Sequence, residues 1–427
     1  MTLKTTFPLL LLVFIFNCTD KPKKVTNKND YNQYLTTKID STALFATAQF
    51  WNNKINPELD QFSVLSARAG GYTKVFDATG NIDYLIKAEN DLLESNKISN
   101  YKNSAVLKTL ATNYISQHRF QEALKLLKIA ETNGDKLNTT KKMLFDVHLE
   151  LGNYIYAEAY LKEIKNNSDF DYLIRLAKWE DHNGNLEKAI ENMEKAMTIA
   201  ESSNQKYLKQ WSYTNIADFY GHAGEIEKSY NYFLKALELD PNDAYAKKGI
   251  AWIVYSHENN SEEALNILNH VTTYYNAPDY DLLKAEIAEF QNNETLKSDA
   301  IKNYQMALNN KHYGEMYNAY DVALYADEFS QPDMALEIAK TEVENRPTPQ
   351  SYDMLAWSYF KQGNVKKANE IIEEYVDGKT FEPAVLYHVA EIYKAAGKTD
   401  KVTPIKKELI ASLYELGPLM KSKIKQL

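Results

Sequence analysis

Ser212-Tyr-Thr-Asn-Ile-Ala-Asp-Phe-Tyr220 is the stretch that decides the fold, together with the glycine and apolar residues that follow it. Its apolar side chains recur at spacings of three and four, which is the period of an amphipathic helix. Gly224 lies where a glycine can end that helix in a left-handed conformation. Phe233 and Ala236 then continue the same period until Pro241 interrupts it. The stretch therefore predicts two short helices joined by a tight turn.

Small residues repeat along the chain at an interval of about 34 residues, the length of one helical hairpin. A first series reads Ala123, Ala157, Ala189, Ser229, Ala264, Ala300, Ala335, Ala368 and Val402. A second series, about twelve residues upstream, reads Ala111, Phe145, Ala177, Ala217, Ala251, Ala288, Ala323, Ala356 and Ala390. Small side chains allow two helices to approach closely. Two series in one register predict a continuous stack of hairpins.

This pattern resembles the tetratricopeptide repeat (TPR) family, whose helix–turn–helix units stack into an α-solenoid. The resemblance implies an all-α fold, a right-handed superhelix of about nine repeats over residues 104–416. Residues 41–103 are expected to form a degenerate N-terminal repeat, and residues 417–427 a C-terminal tail. The last segment of such an array must cover the apolar face that no further repeat covers.

The N-terminus has the pattern of an export signal. Lys4 precedes the apolar run 7–16, which is too short to span a bilayer and ends just before Cys18. This start resembles a bacterial lipoprotein signal, which implies that residues 1–17 are removed and that Cys18 carries lipid. A cleaved secretory signal and an uncleaved anchor are the alternatives. Residues 18–40 are polar and are predicted to form a flexible tether.

No residue pattern predicts catalysis. None of the eight histidines has a second histidine four residues away, and Cys18 is the single cysteine, so no metal site is expected. The sequence has no phosphate-binding glycine loop and no nucleophile elbow. The net charge is −9 without a basic run, which argues against nucleic acid as a partner. We therefore expect no catalytic residue, no cofactor and no metal.

In TPR proteins the first helix of each hairpin lines a concave groove. The outward positions of these helices carry an aromatic strip, the predicted groove residues Trp211, Tyr245, Trp252, Tyr317, Tyr320, Trp357 and Tyr387. Aromatic rings bury a large area and concentrate at interfaces, so we expect the strip to bind a protein or peptide. The alternative is that individual rings pack against neighbouring helices.

Some TPR domains hold a carboxylate terminus with a clamp of Lys, Asn and Arg side chains. The comparable positions here are Lys108, Thr112, Met143, Asp171 and Arg175, of which only two match that chemistry. A clamp for a carboxylate terminus is therefore not predicted.

Together these patterns predict a lipid-anchored scaffold for protein–protein interactions at the bacterial cell envelope, and not an enzyme. The residue after Cys18 is Thr19, which favours the outer membrane in the resemblance to lipoproteins. The periplasmic face is expected, with the cell surface as the alternative. A second functional hypothesis is a glycan- or nutrient-binding outer-membrane lipoprotein, because aromatic platforms also suit sugar rings.

Overall fold

The computed structural model describes residues 24–37, 40–56 and 61–427. Within these ranges the chain is helical apart from short connections, and no residue there lies in a β-strand. The predicted signal segment 1–17 and the predicted lipidation site Cys18 lie outside the described residues. No helix in the described ranges is both long enough and apolar enough to span a bilayer.

Ten helical hairpins follow one another in the described part of the chain, and we number them 1 to 10. Their first helices are α3 (Phe62–Thr79), α5 (Ser104–Ser116), α7 (Leu137–Glu150), α9 (Phe170–His182), α11 (Lys206–His222), α13 (Ala244–Trp252), α15 (Asp279–Phe290), α17 (Asn318–Ala323), α19 (Pro349–Lys361) and α21 (Pro383–Ala395). Their second helices are α4 (Ile82–Ile98), α6 (Phe120–Asn133), α8 (Tyr154–Glu163), α10 (Leu186–Ser203), α12 (Ile226–Leu239), α14 (Ser261–Val271), α16 (Glu294–Ala307), α18 (Pro332–Asn345), α20 (Val365–Ile371) and α22 (Thr399–Ala411). The predicted all-α solenoid is confirmed, whereas its handedness stays a prediction.

Shorter elements flank and interrupt the hairpins. The additional α-helices are α1 (Lys28–Tyr31), α2 (Ser41–Asn52), α23 (Leu413–Leu416) and α24 (Met420–Gln426). Short 3₁₀ turns span Asn32–Leu35 and Lys311–Tyr313, and single π-helical turns span Ile253–His257, Leu324–Glu328 and Ile372–Val376. A π-helical turn carries one more residue than an α-helical turn, so it rotates the side chains that follow it.

The small residues of the two series lie where paired helices are closest. Ala123 and Ala217, one from each series, have no exposed surface. Gly224, with φ of 76°, ends the first helix of hairpin 5 in the left-handed conformation that the sequence predicts. Ala323 is an exception, because it is exposed and Val322 is buried in its place. Its helix has only six residues before the π-helical turn, which changes the register there.

Successive turns of the superhelix touch each other. The turn between the two helices of one hairpin contacts the loop that leads into the hairpin six places further along the chain. The carbonyl of Thr79, at the end of α3, accepts a 2.7 Å hydrogen bond from the backbone N–H of Asn276, just before α15. A Cβ atom on Gly152 would lie only 2.8 Å from the carbonyl oxygen of Pro347. We call this line of contacts the seam, and its pairs are Thr79–Asn276, Gly152–Pro347 and Gly184–Phe381.

Arg346 fastens the seam where hairpin 8 passes into hairpin 9. Its Nε atom donates a 2.7 Å hydrogen bond to Glu342 on α18. Its guanidinium lies 5.3 Å from the centre of the Phe120 ring, and one of its terminal nitrogens is 3.6 Å from a carboxylate oxygen of Glu150. One side chain therefore joins α6 and α7 in the first superhelical turn to α18 in the second.

The N-terminal segment 24–37 is packed on the array, which differs from the flexible tether predicted for residues 18–40. The backbone N–H groups of Val25 and Thr26 donate hydrogen bonds of 2.8 and 2.7 Å to one carboxylate oxygen of Glu258. Tyr31 is only 3% exposed and donates a 3.2 Å hydrogen bond to Glu263. Low apolar content misled the prediction, because polar contacts to residues far along the chain hold this segment.

The C-terminal residues 417–427, predicted as a tail, also contact the array. They contain α24, in which Ile424 is 1% exposed and belongs to the same apolar core as Leu409 of α22. The Nζ atom of Lys406 donates a 2.9 Å hydrogen bond to the carbonyl of Lys425. This short helix covers the apolar side of hairpin 10, as a terminal element of a repeat array must.

Candidate functional site

The inner face of hairpins 2 to 5 contains an open cavity of about 660 Å³. Most of its wall comes from the first helices α5, α7, α9 and α11, with Phe120 of α6 and Met193 of α10 added from second helices. This is the face that lines the groove in TPR solenoids. Ligand sites in proteins commonly have volumes of roughly 300–1,000 Å³ and mostly apolar walls. The cavity is therefore large enough to receive a few side chains of a partner.

Aromatic and aliphatic side chains form most of the cavity wall. Phe170 and Trp211 meet edge to face, with their ring centres 5.9 Å apart. Met143 and Ile174 add flexible aliphatic surface beside them. Tyr207 stands at the cavity with 76% of its surface exposed, so its ring is available to a ligand. Such a surface suits apolar anchors, because rings lose little conformational freedom when they are buried.

Four of the five charged side chains that line the cavity form two ion pairs with one another, and the fifth, Asp171, is bound to Lys142 at 3.0 Å. Arg175 binds Asp146 at 2.6 Å and also donates to the carbonyls of Lys142 and Asp171, at 2.9 and 2.8 Å. Lys178 binds Glu150 at 2.7 Å. These pairs neutralise the charges without a ligand. The cavity therefore has an apolar wall beside a polar wall whose charged groups are already paired.

Glu150 links the cavity to the seam. Burial alone would raise the pKa of this carboxyl, but Lys178 and Arg346 together hold it below its usual range. Lys178 stands in the cavity and Arg346 in the seam. The ionised carboxylate is thus stabilised from both sides, so the packing of the two superhelical turns affects the electrostatics of the cavity.

The seven predicted groove residues lie in different surroundings. Of this set, Trp211 lines the cavity. Tyr245 is 52% exposed outside it, and its hydroxyl donates a 2.6 Å hydrogen bond to Asp218. Tyr317 and Tyr320 lie side by side, 5.9 Å between ring centres, in a tyrosine cluster of hairpins 7 and 8. Ring contacts within the predicted set join Tyr317 to Tyr320, and Trp357 to Tyr387, whose ring centres are 6.4 Å apart. A continuous aromatic strip stays a prediction.

The remaining three predicted groove residues contact other parts of this chain. Trp252 donates a 3.1 Å hydrogen bond from its indole N–H to the carbonyl of Tyr414. Tyr387 donates a 3.3 Å hydrogen bond to Glu391 on its own helix. Trp357 is 5% exposed and stacks on His388 with ring centres 4.0 Å apart. Of the two interpretations of the strip, packing against a neighbouring helix holds for Trp357.

Sequence reasoning missed most of the cavity residues. Thr112, Met143, Asp171 and Arg175, compared above with a carboxylate clamp, all line the cavity. Lys108 does not, because it is 8% exposed and donates a 3.4 Å hydrogen bond to the carbonyl of Asp135. The signal was the helical register, since Asp171, Arg175 and Lys178 lie on one face of α9.

The described residues contain no group of three or more His, Cys, Asp or Glu side chains arranged to hold a metal ion. Of the two histidine–carboxylate pairs at 2.8 Å among these residues, His312–Asp83 is half exposed, whereas His388–Asp353 is mostly buried and its imidazole stacks on Trp357. This pair joins α19 to α21, so its geometry is that of a packing contact between hairpins.

Trp357→Ala is expected to lower the free energy of unfolding by about 3–5 kcal/mol, because it removes a buried indole and leaves a cavity. It also removes the indole N–H that donates to Asp327 at 3.2 Å. Tyr207→Ala, at the exposed ring, is the matched control and should leave the melting temperature nearly unchanged. Thermal unfolding followed by circular dichroism measures both. A Trp357→Ala protein that melts like the wild type would show that the ring is not part of the core.

Comparison with known proteins bears on the fold. The family model described as Tetratricopeptide repeat matches residues 212–243, which make up most of hairpin 5. No curated protein matches the sequence.

Solved structures give distant similarities. A tetratricopeptide repeat protein from Parabacteroides merdae is 18% identical, with a TM-score of 0.39 over 55% of this chain and 93% of that one. Human IFIT1, solved as a dimer with m7Gppp-AAAA, is 15% identical, with a TM-score of 0.48 over 78% of this chain and 75% of that one. PilF of Pseudomonas aeruginosa is 13% identical, with a TM-score of 0.37 over 50% of this chain and 96% of that one. At such low identity these likenesses say nothing about ligands. With the matching hairpin and the architecture around it, the chain has the fold of a tetratricopeptide-repeat solenoid.

Proposed function

We propose that this protein is a lipid-anchored scaffold of the bacterial cell envelope that binds a protein or peptide partner in the cavity of hairpins 2 to 5. The observation that carries the proposal is the cavity itself, with a volume of about 660 Å³ and an aromatic and aliphatic wall on the concave face. TPR solenoids generally act as interaction scaffolds, and this cavity is where the described chain offers a partner an apolar surface.

The cavity fits apolar anchor residues of a peptide better than a charged group. Its cations are already engaged, since Arg175 is bound to Asp146 and Lys178 to Glu150. A ligand carboxylate would have to break those pairs, whereas an apolar side chain can pack on Phe170 and Trp211 without such a cost. An amphipathic helix that places two or three apolar side chains on one face matches this arrangement.

The membrane part of the proposal rests on the sequence of the N-terminus. The run 7–16 followed by Cys18 supports a lipoprotein signal, and residues 18–23 would then separate the lipid from the packed segment. Fully extended, the chain from Cys18 to Val25 reaches at most about 25 Å. Since Val25 is bound to Glu258, a lipid on Cys18 would keep the turn of hairpin 6 within about that distance of the bilayer. The outer membrane and its periplasmic face remain part of this proposal.

Tyr207→Ala is expected to weaken binding of the envelope partner by about five- to thirtyfold, because it removes an exposed aromatic anchor of about 1–2 kcal/mol. The partner is first identified by proximity labelling with the full-length protein in its native cell. Tyr156→Ala on α8 is the matched control, since Tyr156 is 61% exposed and lies outside the cavity. Affinity is measured by titration with the purified partner.

Equal affinities for the two tyrosine variants would refute the cavity as the binding site. Binding to a glycan array without any protein partner would instead favour the alternative of a glycan-binding lipoprotein.

Replacing Cys18 with alanine is expected to move the protein from the detergent phase to the aqueous phase in a phase-separation assay. The reason is that lipid on this residue would be the protein's attachment to the membrane. Mass spectrometry of the wild-type N-terminus should show a lipidated cysteine as the first residue. An unmodified Cys18, or a mature chain that begins elsewhere, would contradict the anchor and leave the proposal for the cavity intact.

A further inference from the structure

The chain's own C-terminal segment lies across the C-terminal ends of α11 and α13. We call residues 412–417 the C-terminal plug, which consists of α23 with one residue on each side. The main-chain carbonyl of Tyr414 accepts two hydrogen bonds, at 3.1 Å from the indole N–H of Trp252 and at 2.6 Å from the hydroxyl of Ser256. The plug therefore takes up the indole N–H of Trp252, a residue that the sequence predicted to face a partner.

Two glycines, one on each side of the contact, make this fit possible. A Cβ atom on Gly221 of α11 would lie 2.9 Å from the ring of Tyr414, so the tyrosine packs directly on the helix backbone. A Cβ atom on Gly417 would lie 2.7 Å from a carboxylate oxygen of Glu286 and 3.1 Å from the ring of Trp252. The contact therefore fits an aromatic ring and, three residues later, a residue without a side chain.

The helix of the plug is only partly buried, although its contacts are specific and Leu413 and Leu416 pack on the apolar core of hairpins 8 to 10. None of the four residues of α23 is fully buried. Glu415 lies 3.9 Å from His222, a long distance for an ion pair. Beside it lies a cavity of about 230 Å³, lined by Asp218, Trp252 and Tyr414 among others. A short element with partly exposed side chains opens more easily than a helix of the core.

We propose that the C-terminal ends of α11 and α13 form a second peptide-binding site, which the C-terminal plug occupies in the free protein. The ligand of this site is a single helical turn. It carries an aromatic residue, whose backbone carbonyl accepts hydrogen bonds from Trp252 and Ser256, and a glycine three residues later. A partner peptide of this kind enters by displacing the plug. The inference rests on the proposed scaffold function but concerns a different surface from the cavity of hairpins 2 to 5.

Competition with the plug makes the affinity for an added peptide depend on how often the site is free. The apparent dissociation constant rises in proportion as the free fraction falls. A substitution that releases the plug without altering the site should therefore tighten the binding of a peptide in solution. A substitution that fills the site should abolish it.

The test uses the full-length protein and a fluorescein-labelled synthetic peptide of residues 411–427, titrated by fluorescence anisotropy. Gly417→Ala releases the plug by collision with Glu286 and Trp252, and should bind the peptide at least about tenfold more tightly than the wild type. Gly397→Ala is the matched control, because Gly397 has nearly the same φ, 77° against 78°, but no atom within 4 Å of its Cβ position. It should bind the peptide like the wild type.

Two further variants complete the test. Gly221→Leu fills the place of the tyrosine ring and should bind no peptide. If circular dichroism shows that Gly417→Ala does not fold, Tyr414→Ala in the full-length chain takes its place as the releasing variant. Equal peptide affinity in the releasing variant and the wild type, or undiminished binding to Gly221→Leu, would overturn the proposal. Because the probe is the chain's own peptide, neither result depends on the envelope partner or on Tyr207.

Discussion

Contact between the two superhelical turns is the constraint on which the rest of this structure depends. Each hairpin can hide its apolar face only against its neighbours, so the array needs no long-range contact to exist. The seam adds such contacts, and two of its three pairs are made by the backbone itself, Thr79 with Asn276 and Gly152 with Pro347. They fix the curvature of the solenoid. The curvature in turn sets the width of the cavity and brings the C-terminal plug against α11 and α13.

The same constraint ties the candidate sites to one another. Glu150 contacts Lys178 in the cavity and Arg346 in the seam. A change at either place therefore alters the electrostatic environment of this one carboxylate. The C-terminal plug lies where an eleventh hairpin would enter, six places after hairpin 5, and thus continues the seam with a single helical turn. A partner that displaced the plug would therefore also release the last contact of the second superhelical turn.

Local pattern was sufficient to predict the hairpins but not the seam. Ala123 obeys the repeat because it is fully buried within its own hairpin, and Gly224 because its positive φ ends the first helix of hairpin 5. Asn276 and Phe381 belong to connecting loops, and nothing in their spacing shows that they meet Thr79 and Gly184. Trp357 has the spacing of a groove residue, but His388, one hairpin further along, covers it. The segment 24–37 is polar, and Glu258, which holds it, is more than two hundred residues away in the chain.

The most direct measurement of the central claim is disulfide formation across the seam. With Cys18 replaced by alanine, Thr79→Cys and Asn276→Cys place two thiols at residues joined by a backbone hydrogen bond, which brings their Cα atoms into disulfide range. Thr79→Cys with Lys379→Cys, at the entry of hairpin 10, is the control. We predict that mild oxidation crosslinks the first pair within the monomer and leaves the control pair reduced. Equal crosslinking of the two pairs, or none in either, would contradict a superhelix whose turns are in contact.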